Sequence, residues 1–285
     1  MSLQRTTLRD VRRLLDSGTP IPMVTAYDYT SALLADRAGI PMILVGDSMA
    51  QTMLGFEDTL PVTVDDMVRH TAAVVRGTDK AFVVADMPFM SYQASTADAL
   101  RNAGRLLKEG GAQAVKLEGG GAAAIETVRA LVDAGIAVMG HLGLTPQSVH
   151  QLGGYGVQGK TSAAATALID AASGLEKAGA FALVLELVPA ELAREVSDRL
   201  AIPTIGIGAG AGCDGQVQVW HDLLGLSVDF TPRHAAKYAE VGATVLEALR
   251  RWAEDVRAGR FPTDAETSHL KEPLDLGSKT LTPSD

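Results

Sequence analysis

Ionisable side chains recur in this chain at one kind of position, the end of a short apolar run. Pro41-Met-Ile-Leu-Val-Gly leads to Asp47 and Ser48, Ala81-Phe-Val-Val-Ala leads to Asp86, and Gln113-Ala-Val leads to Lys116 and Glu118. Ile136-Ala-Val-Met-Gly ends at His141, and Phe181-Ala-Leu-Val-Leu ends at Glu186. Carboxylates brought to one place repel each other unless a cation neutralises them. Asp47, Asp86 and Glu118 offer hard oxygens with no Cys or His cluster beside them, a donor set that favours Mg2+ over Zn2+, with Mn2+ able to substitute. Lys116 stands two residues from Glu118, so in an extended segment both point the same way. One can hold a metal while the other holds a substrate carboxylate. Glu186 emerges from an apolar run, a setting that can raise a carboxylate's proton affinity and suit it to general acid or base work.

Plainer readings exist for each residue. A lone Asp at a strand end often only opens a loop, and a rim Glu is often salt-bridged. Recurrence over five runs is what favours a shared site. His141 is open between a substrate hydrogen bond and a satisfied strand-end histidine. Asp28 reads as a turn or supporting residue. Gly154-Tyr-Gly-Val-Gln-Gly159-Lys160-Thr161 fits the literal P-loop pattern, but Thr145-Pro-Gln-Ser-Val-His-Gln-Leu before it is no buried strand. Gly206, Gly208 and Gly210 lack dinucleotide-fingerprint spacing and read as a loop with close backbone approach.

These residues need elements to carry them. Met42 to Val45 is apolar on both faces, as a parallel strand covered on each side must be. Strands are predicted at Ile21–Ala26, at the five runs above, at Pro203–Gly208 and near Leu226–Phe230. Helices are predicted over Thr7–Ser17, Ser31–Ala38, from Thr63, over Thr96–Glu109, Ala122–Ala134, Ser162–Ala178, Pro189–Leu200 and Val241–Arg257, with caps such as Ser95 and stops such as Gly110-Gly111. Eight strand–helix alternations in about 250 residues match a closed (β/α)8 TIM barrel, an α/β fold, as a single domain. An open doubly wound sheet would place its ligand at one switch point rather than at many strand ends. The barrel and its N-terminal helix span residues 1–262, and 263–285 reads as a polar, loosely held tail.

Bulk composition narrows the class. With 285 residues, 47% hydrophobic content and a formal net charge of −9, the chain can bury one large core and lacks the basic surface of a nucleic-acid binder. A single cysteine, Cys213, excludes an internal disulfide framework and suits a reducing compartment. No stretch reaches the about 18 apolar residues of a membrane span, and Met-Ser-Leu-Gln-Arg-Thr lacks the apolar core of a signal peptide. A cytoplasmic protein without a membrane partner is expected.

Val45-Gly-Asp-Ser48, Ala85-Asp86-Met-Pro-Phe89, Val115-Lys-Leu-Glu118, Gly140-His-Leu-Gly-Leu-Thr-Pro146, Gly153-Gly-Tyr-Gly-Val-Gln-Gly-Lys160, Leu185-Glu186, Ile205-Gly-Ile-Gly-Ala-Gly210 and Asp214-Gly-Gln-Val-Gln-Val-Trp-His-Asp-Leu-Leu-Gly225 occur in this order. Together they resemble the ketopantoate hydroxymethyltransferase (3-methyl-2-oxobutanoate hydroxymethyltransferase) family over about residues 5 to 262. The resemblance implies a barrel of the phosphoenolpyruvate mutase/isocitrate lyase superfamily. It also implies hydroxymethyl transfer from 5,10-methylenetetrahydrofolate to 3-methyl-2-oxobutanoate, giving 2-dehydropantoate for pantothenate and coenzyme A. By matching position, Asp47, Asp86 and Glu118 correspond to the family's Mg2+ site. Asp47, Ser48, Asp86 and Lys116 correspond to its oxoacid contacts, and Glu186 to its proton acceptor. A homo-oligomer, often a decamer, is implied as well. The rival readings are a Mg2+-dependent C–C lyase of 2-oxoacids or 2-hydroxyacids, which usually needs a loop Cys placed unlike Cys213, and a catalytically dead scaffold.

Overall fold

In the computed structural model of the chain, which describes residues 5–227 and 232–283, the apolar runs become parallel strands. β1 (Ile21–Thr25), β2 (Met42–Val45), β3 (Phe82–Asp86), β4 (Ala114–Glu118), β5 (Ala137–Gly143), β6 (Ala182–Glu186), β7 (Thr204–Ile207) and β8 (Gly215–Gln218) pair in chain order, and β8 closes back onto β1. The result is the expected (β/α)8 barrel. Register levels the functional residues: Asp86 lies opposite Lys116, and Glu118 opposite His141.

Helices α1 (Leu8–Asp16), α2 (Tyr29–Arg37), α3 (Met49–Thr52), α4 (Val64–Arg76), α5 (Thr96–Lys108) and α6 (Ala122–Asp133) belong to the first half of the chain. α7 (Val149–Leu152), α8 (Ser162–Lys177), α9 (Ala190–Arg199), α10 (Trp220–Leu223) and α11 (Val241–Arg257) belong to the second. Their starts follow from capping. Thr63 and Asp66 exchange hydrogen bonds at the head of α4, Ser95 Oγ accepts from Asp98 N at α5, and Asp28 accepts from Ser31 N at α2. Asp28 is thus a helix cap, in keeping with the turn role expected of it.

Side chains alternate across each strand. Met42, Leu44, Phe82, Val84, Met139 and Val184 fill the barrel, while Ile43, Val45, Val83, Val115 and Leu183 pack against the helices. Val11 and Leu14 of α1 join the inner cluster and close the end where the strands begin. The inward positions become polar only at the other end, so the same alternation that fills the barrel also aims Asp86, Lys116, Glu118, His141 and Glu186 into its mouth.

One expectation needs correction. The eighth strand is Gly215–Gln218, not the stretch near Leu226–Phe230. Leu226 and Ser227 are not strand, and 228–230 lie outside the described residues. β8 escapes the apolar-run rule because only one face is covered: Gly215 and Val217 are buried while Gln216 is exposed. The tail, expected to be polar and loosely held, is exposed over 263–280 and carries a 3-10 turn at Asp264–Glu266 and an antiparallel ribbon, β9 (Leu274–Asp275) with β10 (Thr280–Leu281).

The start of β3 is fixed by a buried carboxylate. Asp36 Oδ1 accepts from Lys80 N at 2.9 Å and Ala81 N at 2.6 Å, and Oδ2 from Asp79 N at 3.1 Å. Asp36→Ala leaves these donors unpaired and should destabilise the fold by about 2–3 kcal/mol, read as a lower denaturant midpoint with an unchanged slope.

Candidate active site

Asp47, Ser48, Asp86, Lys116, Glu118, His141 and Glu186 line one cavity of about 660 Å3 at the C-terminal mouth of the barrel. Every residue picked out from the sequence as a site candidate is therefore brought together. Asp47, Asp86, Lys116, Glu118 and His141 are all buried. Lys116 Nζ lies 3.0 Å from Asp86 Oδ1 at an angle that makes an ion pair but leaves that oxygen without a hydrogen bond. Asp86 Oδ2 accepts instead from Asp47 N at 3.0 Å. His141 bridges the far side. Its Nδ1 is 3.3 Å from Lys116 Nζ and 3.4 Å from Glu118 Oε1, and its Nε2 is 3.2 Å from Glu186 Oε2, again an approach too oblique for a hydrogen bond. His141 thus stands between two carboxylates in the cavity, with its Nε2 buried and without a hydrogen bond.

Local backbone aims Glu186. Gly143 on the neighbouring strand sits at φ 93°, and an added Cβ would fall 2.1 Å from Glu186 O, so no other residue fits there. Leu187, directly after Glu186, adopts φ 44°, a strained conformation for a non-glycine residue. Backbone hydrogen bonds from Leu187 N to Ile207 O at 2.9 Å and from Gln158 N to Leu187 O at 2.8 Å hold it there.

Two neutral residues that the sequence did not flag organise the acids. Gln147 Nε2 donates to Asp47 Oδ2 at 2.8 Å and to Met87 O at 2.9 Å, while its backbone N donates to Glu118 Oε2 at 3.0 Å. Tyr92 Oη donates to Gln147 Oε1 at 2.8 Å and accepts from Glu118 N at 3.1 Å. Burial and the Glu118 charge push the Tyr92 hydroxyl well above its usual range, which keeps it a donor. The signal available for Gln147 was its place directly after the matched Gly140–Pro146 block. Nothing about Tyr92 marked it.

The electrostatics show a shortage of positive charge. Burial, then Asp86 and Glu118, push the Asp47 carboxyl well up. Burial also raises Asp86, with Lys116 opposing it. For Glu118 burial is outweighed by His141 and Lys116, and its carboxyl is lowered. Lys116 is raised because Asp86, Glu118 and Asp47 together outweigh its burial. Burial and Lys116 oppose a charge on His141, yet Glu118 and Glu186 raise it to about 9.

Among the described residues no three His, Cys, Asp or Glu side chains converge tightly enough to enclose a metal ion by themselves. Mg2+ does not need that, since it keeps several waters and binds through one or two carboxylates. Asp86 Oδ1, buried without a hydrogen bond, and the crowded Asp47 carboxyl fit such an ion. Glu118 has both oxygens engaged, by His141 and Gln147 N, and fits a place beside the ion.

The decoys fall elsewhere. A 3-10 turn (Pro146–Ser148) and α7, not a strand, precede Gly154, and Tyr155 of that loop covers the cavity. Gly208 and Gly210 take positive φ in the turn after β7. Cys213 does not line the cavity, and burial pushes its thiol up, away from nucleophilic use.

A closed (β/α)8 barrel whose strand ends gather carboxylates, a lysine and a histidine defines an enzyme acting at the top of the barrel. Similar folds include 2,3-dimethylmalate lyase, a PEP mutase/isocitrate lyase superfamily member, with a TM-score of 0.59 at 20% identity over 93% of each chain. Phosphonopyruvate hydrolase in complex with oxalate and Mg++ matches with a TM-score of 0.60 at 13% identity over 94% of this chain and 93% of that one. Sequence relations go further. The family described as ketopantoate hydroxymethyltransferase matches residues 5–264. The 3-methyl-2-oxobutanoate hydroxymethyltransferase of Chloroflexus aurantiacus (strain ATCC 29366 / DSM 635 / J-10-fl) is 58% identical over 96% of both chains. That of Gluconacetobacter diazotrophicus is 57% identical over 94% of this chain and 96% of the relative. The chain belongs to the ketopantoate hydroxymethyltransferase family and is a hydroxymethyl-transferring enzyme.

Gln147→Leu removes the donors that orient Asp47 while sparing every charge. Mg2+ binding, followed by titration calorimetry, should weaken about 10- to 100-fold, the usual cost of losing a group that orients a metal ligand.

Proposed function

We propose that the enzyme adds a one-carbon unit from 5,10-methylenetetrahydrofolate to C3 of 3-methyl-2-oxobutanoate, giving 2-dehydropantoate on the route to pantothenate and coenzyme A. The observation that carries this reading is the buried Asp86–Lys116 pair, flanked by Asp47 and Glu118, with Glu186 held beside His141 in the same cavity. Asp47 and Asp86 are the groups that would hold Mg2+, with Glu118, the third residue of the set, beside the ion. When bound, the ion acts as a Lewis acid on the oxoacid's oxygens and stabilises the charge that develops there, by several kcal/mol.

The remaining work falls to the chain. Lys116 and Ser48 fix the carboxylate end of the oxoacid, Lys116 by a charge-assisted contact and Ser48 by its hydroxyl, while Asp47 and Asp86 complete the contacts around it. Ser48 Oγ lies 2.9 Å from Tyr27 Oη, which in turn accepts from Thr25 Oγ1 at 2.9 Å, so the hydroxyl is held in place. Glu186 accepts the C3 proton, and the electron pair left on C3 forms the new bond to the folate-borne carbon. The bonds from that carbon to N10 and N5 break, water supplies the hydroxyl group of the product, and the proton taken from C3 and the remaining water proton pass to the two nitrogens of the departing tetrahydrofolate.

We further take the enzyme to be a cytoplasmic homo-oligomer, a decamer, built from one barrel domain (1–262) with the 263–285 tail. Among the described residues no helix is long and apolar enough to cross a membrane. α11 leaves Val245, Leu249, Trp252 and Val256 exposed, an apolar face that a neighbouring copy would cover.

The reading is tested by metal-dependent binding of 3-methyl-2-oxobutanoate. Wild type should bind only with Mg2+ present, and Asp86→Asn should weaken binding at least about tenfold; metal-independent binding of equal strength would overturn it. Glu186→Gln should keep oxoacid affinity within about threefold yet stop deuterium exchange at C3, since an amide cannot take the proton. Retained exchange in that variant, measured by proton NMR, moves the base elsewhere.

A further inference from the structure

The steps above leave one cavity-lining carboxylate without a task. Asp222 is only 8% exposed, yet it borders the same cavity as Asp47 and Lys116. Among the described residues its side chain makes no hydrogen bond and no ion pair. The titratable group that acts on it is His234, which partly offsets the upward push of burial on its carboxyl. A carboxylate enclosed this far without donors is costly, and the cost is understandable where a ligand brings the donors.

Its position is fixed. Asp222 belongs to α10, directly after β8, and Trp220 N donates to Thr25 Oγ1 at 2.9 Å, tying that turn to β1. Thr25 is the far end of the chain of hydroxyls that runs through Tyr27 to Ser48. Asp222 therefore stands at the β8–β1 side of the mouth, at the Thr25 end of the chain that leads to Ser48, the residue proposed to hold the oxoacid's carboxylate. Leu187, Ile207, Val217 and Val219 supply apolar wall along the cavity. A cavity of about 660 Å3 is also far larger than a five-carbon oxoacid requires; pockets of roughly 300–1,000 Å3 take ligands of drug size.

We propose that Asp222 anchors the one-carbon donor, its two oxygens accepting the adjacent N–H groups at the 2-amino-4-oxo edge of the reduced pterin while the apolar wall takes the ring's face. This rests on the folate reading given above. Two parallel N–H donors meeting one carboxylate form a paired, charge-assisted contact that fixes orientation as well as affinity. The 2-amino edge is the far end of the bicycle from N5. Holding it at Asp222 therefore turns N5 and its carbon inward, toward the oxoacid C3 that faces Glu186.

The test uses the full-length enzyme with Mg2+, tetrahydrofolate as the probe, and calorimetry. Asp222→Asn should weaken tetrahydrofolate binding about ten- to hundredfold, as expected for loss of hydrogen bonds to a charged group. Folate-free deuterium exchange at C3 of 3-methyl-2-oxobutanoate should stay within about threefold of wild type, because that half-reaction does not engage the pterin. Equal tetrahydrofolate affinity in the variant overturns the anchor and leaves the folate reading standing. Failure of wild type to bind tetrahydrofolate removes both. A folded variant that loses exchange and folate binding to the same degree also overturns the anchor. Should Asp222→Asn not fold, wild type decides. 6-Methyltetrahydropterin should bind at least about tenfold more tightly than its 2-desamino-2-methyl analogue, since a site built for N–H donors rejects a ligand lacking them. Equal affinity for the two pterins overturns the anchor.

Discussion

A charge imbalance governs the mouth of this barrel. Asp47, Asp86 and Glu118 face Lys116 inside a region that solvent barely reaches. Removing an ion from water costs several kcal/mol even after relaxation, and one ammonium cannot offset three carboxylates. The fold meets part of the deficit with fixed donors: Gln147 Nε2 to Asp47, Asp47 N to Asp86, and Gln147 N to Glu118. His141 lies between Glu118 and Glu186, which raise its pKa to about 9 against burial and Lys116. What is left over falls on Asp47, whose carboxyl is pushed well above its usual range by burial first and then by Asp86 and Glu118. The same surplus of negative potential explains why Lys116 holds its proton in a site where burial alone would strip it.

Strand periodicity made most of the fold readable. Seven of the eight strands are covered on both faces or nearly so, and their apolar runs stand out against the helices between them. β8 was illegible for a physical reason. Its pattern, Gly215-Gln-Val-Gln218, buries only the inward positions, so it lacks the apolar outer face that marks its neighbours. The more apolar stretch after Leu226 drew the assignment instead. α3 and α10, four residues each, were also missed, because single turns leave no periodic signature.

The site was readable to the extent that it is charged. Each of the ionisable residues that end the five apolar runs lines the cavity, because an ionisable group ending a buried strand has no inexpensive place except a site. Gln147 and Tyr92 were invisible by the same logic. A neutral amide and a phenol carry no charge to explain, and Tyr92 reaches Glu118 across 26 positions of sequence. Their function depends wholly on geometry, Tyr92 fixing which end of the Gln147 amide faces Asp47. Asp222 lies between these cases: charged and near a matched block, but on a one-turn helix with no apolar run to frame it.

Depth separates the two glutamates. Glu118 pairs in register with His141, whereas Glu186 pairs with Gly143, two residues further along the same strand and so one inward layer nearer the opening. The side chain of Glu118 is 3% exposed and that of Glu186 is 15% exposed. A proton acceptor has to shed its proton after each turnover, and Glu118, with one oxygen held by Gln147 N and its side chain nearly enclosed, has the poorer access to solvent for that. Glu186 can exchange with solvent from where it stands, while its contact with His141 keeps it aimed inward. A single register step along β5 thus sets Glu118 deeper and Glu186 nearer the solvent, the placement that the proposed proton acceptor needs.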